Sequence, residues 1–316
     1  MKKILESCFN RRPKILTFCT HERYQSNMND INADFYLLNL TNGKSWNKEY
    51  APIPDNHYFL PKDIVPEYMT FDFILSQSRY SHYEVAVKIA KTQNLKLVTL
   101  EHTIPTSNFN IKELKQLKRM LGDYNIYISD FNKAAWEDTN GAVVNHCVDS
   151  DLFISGSHEN NVILTVQNQY IARNYCLNYT LYKYATSGLP VLPVGDTPGL
   201  SKPAKDIDEL IKYYQSSRIF LNTAHESPIP TSLLEAMSCG CACVSIKSCA
   251  IPEYITHGHD GLLCSSLEEM QAYLNELLYN KDLADFLGNN ARETIKAKCS
   301  KELFTNNWNK VIGQIA

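Results

Sequence analysis

Residues 225–245 read HESPIPTSLLEAMSCGCACVS, and the order of residue types there suits the binding of an anionic ligand. Pro228 and Pro230 stand before the helical stretch 231–239 and Gly240 stands just past it, which are ordinary signals for the two ends of a short helix. The unpaired amides of its first turn, at Thr231 and Ser232 just after Pro230, with the helix dipole behind them, make an anion site suited to a diphosphate. Leu233, Leu234 and Met237 form an apolar face, and Glu235 points away from it. A carboxylate in that position can accept two hydrogen bonds from the vicinal hydroxyls of a ribose.

Such a site needs a scaffold, and the flanking sequence supplies one. Strand-like apolar runs occur at 14–20, 34–40, 71–75, 95–100, 125–128 and 142–144. Helical patterns at 81–92 and 111–121 lie between several of them. A polar stretch after Phe153, ISGSHENN, reads as a linker. The βα pattern then restarts with strands at 162–166, 191–194, 218–221 and 242–246 and helices at 207–216 and 231–239. Beyond residue 265 the chain is mostly helical, opened by the capping-box pair Ser266 and Glu269. Strands alternating with helices predict parallel sheets, so the expected fold is α/β with two Rossmann-like domains facing a central cleft and helices at the C-terminus. The expected boundaries are 1–155, 156–295 and a final helical segment 296–316 packing back on the first domain.

Composition narrows the function. At 316 residues, 44% hydrophobic and 21% charged, the chain is an ordinary globular protein with a net charge of −3 and no overall basic field of the kind a dedicated nucleic-acid binder carries. The N-terminal MKKILESCFNRR is too interrupted by charge for a signal peptide, and no apolar run is long enough to span a bilayer, so the expected location is the cytoplasm. Ten cysteines include the run Cys239, Cys241, Cys243, but a second ligand arm with zinc spacing is missing, and buried free thiols are expected instead. Asp149-Ser-Asp151 and Asp206-Ile-Asp208 have a metal-binding spacing; the first lies in a turn and the second opens a helix, so neither is expected to hold a metal.

LLEAMSCGCACVS, followed by IPEYI at 251–255 and HGHDGLL at 257–263, resembles the donor domain of retaining GT-B glycosyltransferases of the glycogen-synthase and sucrose-synthase-like class. The resemblance implies a UDP- or GDP-sugar donor, no cofactor and no metal, with Glu235 on the ribose. It also implies a first glutamate with seven residues between it and Glu235, at position 227, where this chain has Ser227 with Glu226 one residue early; Glu226 either touches the donor or is a solvated loop acid. His102 in LEHT corresponds to a loop histidine that contacts the donor sugar. Arg173 and Lys183 are the nearest basic residues to those that relatives set against the diphosphate, although Lys183 stands ten positions on rather than about six. THERYQ at 20–25, containing His21 and Arg23, takes the place of a glycine-rich turn against the diphosphate.

That segment, with SQSRY at 76–80 and LEHT, is similar to a bacteriophage branch of these enzymes, and in that case the location is the host cytoplasm. The branch implies an acceptor such as a hydroxymethylated base in DNA, unstacked to reach the cleft. Lys112, Lys115, Lys118 and Arg119 form a basic helix face that can meet phosphates, and Arg23 and Arg79 are further candidates for acceptor or phosphate. Glycan, lipid-linked and small-molecule acceptors stay open. The implied chemistry is hexosyl or pentosyl transfer with retention. The competing readings are a sugar-nucleotide epimerase and an inactive sugar-nucleotide-binding protein.

Overall fold

A computed structural model describes residues 11–77, 79–80 and 82–316, so Cys8 and the N-terminal stretch weighed as a signal peptide lie outside the described residues. The first sheet holds β1 (Lys14–Phe18), β2 (Asp34–Leu38), β3 (His57–Phe59), β4 (Phe73–Ser76), β5 (Lys96–Glu101), β6 (Tyr124–Tyr127) and β7 (Ala142–Val143). All its pairs are parallel, in the order β3-β2-β1-β4-β5-β6-β7. The second holds β8 (Asn160–Val166), β9 (Val191–Val194), β10 (Ser217–Asn222), β11 (Ala242–Ile246) and β12 (Leu262–Cys264), again all parallel, in the order β12-β11-β10-β8-β9. This is the α/β architecture of two Rossmann-like units that the alternating pattern predicts. The three-residue strands β3 and β12 escape a reading by periodicity because they are too short to show one.

The helices that matter to the site are α1 (Glu22–Ser26), α2 (Tyr83–Gln93), α3 (Ile111–Lys118) and α4 (Asp130–Ala135) in the first domain. The second has α5 (Asn174–Leu177), α6 (Tyr179–Ala185), α7 (Ile207–Ser216), α8 (Thr231–Ser238) and α9 (Ile251–Tyr254). Three helices follow, α10 (Leu267–Tyr279), α11 (Lys281–Lys298) and α12 (Lys301–Ile315). Strand order reverses direction between β1 and β4 in one sheet and between β8 and β10 in the other. Ligands of open parallel sheets bind at such reversals, outside the carboxyl ends of the strands. The turns after β1, β8 and β10 therefore have the first claim on chemistry.

Strands β1, β4 and β10 are buried along almost their whole length because helices cover both faces of each sheet. One apolar core runs unbroken from Ile15 and Phe35 in the first sheet through Val148 and Phe153 to Leu233 and Trp308. Helix α12 crosses back over the first domain: Trp308 Nε1 donates to Tyr24 Oη at 3.1 Å, and Lys96 Nζ reaches the carbonyl of Ile315. Asp206 caps α7 by accepting from the Glu209 amide, and Asp149 holds its own turn and pairs with Lys301 at 2.9 Å. Both Asp-x-Asp pairs thus have structural partners. Among the described residues there is no cluster of three or more histidines, cysteines or acids that could hold a metal. The described cysteines are free thiols, buried except for the half-buried Cys249.

Two glycines set how α8 meets α11. Gly240 ends α8 with φ +84, a conformation that favours glycine, and a Cβ there would press on Ser155 Oγ at 2.8 Å. Inside α11, a Cβ on Gly288 would stand 2.0 Å from the Gly240 carbonyl oxygen. In an open helix interior, glycine to alanine stabilises by about 1 kcal/mol. Here the contact is backbone that cannot move aside, so Gly288→Ala should destabilise by about 1–3 kcal/mol in urea unfolding. A rise in the urea midpoint would show that the close approach is not a constraint.

Candidate functional site

A cleft cavity of about 450 Å³ lies between the two domains, where the turns after β1, β8 and β10 meet. Its second-domain wall carries Gln167 and Asn168 after β8 and Ser227, Pro230, Thr231 and Ser232 at the start of α8. Pro230 at the N-cap has no side chain to bond the first amides, so that end of the helix has no side-chain cap. Arg173, at the N-cap of α5, lines the same cavity. The first-domain wall brings His21, Arg23, Tyr24, Lys44, His102 and His146.

Glu235 stands one helical turn along α8 from Thr231. The sequence reading places it apart from an apolar face, but α8 is buried on all sides from Leu233 to Ser238, and Glu235 keeps only 4% exposure. Its carboxylate is held from two directions. Arg23 of α1 gives an Nη2 hydrogen bond to Oε1 across the cleft, and Tyr214 Oη of α7 donates to Oε2 at 3.0 Å. Burial raises the carboxyl pKa, and the Arg23 charge and both hydrogen bonds oppose that rise. A second cavity of about 270 Å³, lined also by Tyr50, Phe153 and Ile207, borders the same pair.

Three histidine rings floor the first-domain wall. His102, following β5, packs edge-on against His21 at 4.4 Å and Tyr24 at 4.8 Å, with His146 at 6.1 Å. Burial above all, then the proximity of the other two histidines, holds His102 well below its ordinary pKa. Burial pushes His146 down to about 4. His21 also falls to about 4, from desolvation first and from Lys44 second, although part of its ring still faces the open cleft. All three are neutral at pH 7. Nε2 of His102 has no hydrogen-bond partner among the described residues, an unusual state for a buried ring nitrogen.

Not every residue singled out in the sequence arrives here. Lys183 sits exposed on α6 and does not line the cavity. Asn178, with φ +57, breaks α5 from α6, so counting positions from Arg173 does not carry a side chain along one helix face. Lys44, in the loop after β2, lines the cavity instead and pairs with Glu22. Glu226 is also displaced from the cavity wall: its Oε2 accepts the Ser107 amide of the first domain at 3.1 Å, while Ser227 faces the cavity. Arg79 is not available to an acceptor. It is buried, bonds Glu101 and the Leu117 carbonyl, and lies 4.0 Å over the ring of Trp136. On α3, Lys118 pairs with Glu137, and Lys112, Lys115 and Arg119 line a separate open groove with Tyr83 and Ile111.

The two later motifs support the site from outside it. In 251–255, Glu253 accepts the Phe131 amide at 2.7 Å and Tyr254 Oη accepts from Asn145 at 2.9 Å, so this segment joins the domains. In 257–263, buried Asp260 accepts from the Thr256 amide and from Thr294 Oγ1, which closes the turn into β12.

Residues 202–294 match the family Glycosyl transferases group 1. This is a glycosyltransferase. The matched stretch contains α7, α8 and the later motifs, that is, most of the cleft's second wall. No curated protein matches the sequence. The fold of this glycosyltransferase is GT-B-like and similar to solved structures over nearly its whole length. Against Alr3699/HepE of Anabaena, solved with UDP-glucose, the TM-score is 0.75 at 13% identity, covering 96% of this chain and 100% of that one. Sucrose-phosphate synthase of Thermosynechococcus elongatus gives 0.74 at 12%, covering 96% and 99%. A glycosyltransferase from Rickettsia africae gives 0.71 at 14%, covering 96% and 99%.

The neutral histidines of this glycosyltransferase give it an acid-sensitive cleft. The folded pKa of His146 lies below the unfolded value of about 6.5, so the unfolded chain takes up more protons between them, and stability falls as pH drops through that window. His146→Gln should therefore reduce the stability lost between pH 7 and pH 5 by about 2 kcal/mol, read from urea titrations at the two pH values. An unchanged pH dependence would mean that His146 is not held neutral by burial.

Proposed function

We propose that this glycosyltransferase takes a nucleotide sugar as donor and transfers the sugar with retention of anomeric configuration. The observation that carries the reading is the meeting, in one cavity, of the uncapped start of α8, Glu235 one turn along it, and Arg173. A diphosphate at the helix amides places the attached ribose beside Glu235. The UDP-glucose seen in Alr3699/HepE supports a uridine nucleotide as the donor class.

As the bond from the anomeric carbon to the diphosphate oxygen breaks, negative charge builds on the diphosphate. The helix amides and Arg173 meet that charge, and Lys44 takes the place that Lys183 leaves empty. Ser227 and His102 face the sugar, and a sugar hydroxyl supplies the partner that His102 Nε2 lacks. The acceptor hydroxyl attacks the oxocarbenium-like centre from the side the diphosphate leaves. Its proton passes to the departing diphosphate oxygen, so the protein need not supply a base or a metal.

The test combines binding and product analysis. Glu235→Ala should weaken donor binding roughly 10–100-fold by calorimetry, the loss expected when hydrogen bonds to a charged group are removed. Transfer to hydroxymethylated DNA, glycan and small-molecule hydroxyls should be compared with and without chelator. The product should keep the donor's anomeric configuration and form undiminished in the chelator; an inverted product overturns the mechanism.

A further inference from the structure

Resting on that reading of the donor site, we propose that Arg23 is a positioning residue that keeps Glu235 ionised and aimed to receive the ribose, so that donor affinity depends on a side chain of the opposite domain. The geometry is specific. A carboxylate has about four acceptor positions. Arg23 and Tyr214 each use one, on different oxygens, which leaves acceptor positions for two ribose hydroxyls without displacing either partner.

Arg23 is itself fixed. Its carbonyl accepts from Ser26 Oγ and Asn27 Nδ2, both at 3.1 Å, and Asn27 Nδ2 also reaches the Cys147 carbonyl at 3.2 Å. The guanidinium lies 5.1 Å over the ring of Phe153, an aromatic face in the segment that joins the domains. Arginine suits this place because its fork keeps one direction, whereas a lysine ammonium does not.

No other described cation bonds this carboxylate. Tyr214 of α7 is a neutral donor whose pKa burial raises further. Cys239, on the same helical segment, is a thiol that burial keeps protonated. Arg292 of α11 spends its guanidinium on the carbonyls of Ser150, Phe153 and Ser238. Take away Arg23, and a carboxyl at 4% exposure protonates at a higher pH; once protonated it presents fewer acceptor positions to the ribose.

The experiment measures binding of uridine diphosphate and guanosine diphosphate between pH 5.5 and 9 for the full chain and for Arg23→Gln, Glu235→Gln and the double variant. The ligand's own titration divides out of the variant to wild-type ratio. For Arg23→Gln that ratio should fall at least 10-fold at pH 6 and recover to within about 3-fold by pH 9, the slope expected of a linked proton. Arg23→Gln added to Glu235→Gln should cost no further affinity, because the charge it serves is gone. The double variant carries no unpaired buried carboxylate, so this arm holds even where the single variant folds poorly. A ratio that is flat with pH, tighter binding by Arg23→Gln, or an equal loss in the Glu235→Gln background each overturns the proposal. If the wild type binds neither nucleotide, it is the donor-site reading that fails.

Discussion

A carboxylate buried between two domains is the constraint around which this molecule is arranged. Glu235 lies at 4% exposure on a helix buried from Leu233 to Ser238. An ionised acid in such a place is tolerated only with compensating charge and hydrogen bonds. The second domain supplies a hydroxyl, Tyr214; the cation comes from the first. The site is therefore complete only when both domains are present and close. The turn after β1 can supply that cation because a chain-order reversal in each sheet opens toward the same cleft.

Much of this was legible in the sequence. The alternation of apolar runs and helical patterns marks ten of the twelve strands to within a few residues, all but the short β3 and β12, since parallel strands buried on both faces leave continuous apolar stretches. The helix 231–239 declared both of its ends through Pro230 and Gly240. What sequence spacing could not supply was partnership across the cleft. Arg23 and Glu235 are 212 positions apart, and nothing local marks them as a pair. Lys183 lies away from the cavity because a residue count is not a distance: the left-handed Asn178 turns the chain between Arg173 and Lys183.

Arg79 shows how charge can mislead. In sequence it is a basic residue near a strand end and a natural candidate for a phosphate. In the fold it is buried with Glu101 and stacked on Trp136. Glu101 in turn accepts from the amide and hydroxyl of Thr103, so the Arg79–Glu101 pair steadies the loop that carries His102. Hydropathy assigns such a residue to the surface because it ignores pairing.

The way the chain passes between the domains limits how the cleft can move. It crosses once near Val148 and returns near Cys299, and the two crossings are stitched together by the Val148 amide donating to the Cys299 carbonyl at 3.0 Å. Bodies tied at two well-separated points keep a single axis; bodies tied at two adjacent points behave as if joined by one short, stiff pivot. That pivot lies beside the Asp149–Lys301 ion pair. Rotation about such a pivot moves the residues beside it least, and Arg23 and Glu235 share a cavity with Val148, Asp149 and Lys301, so this pair stands at the still end of the cleft.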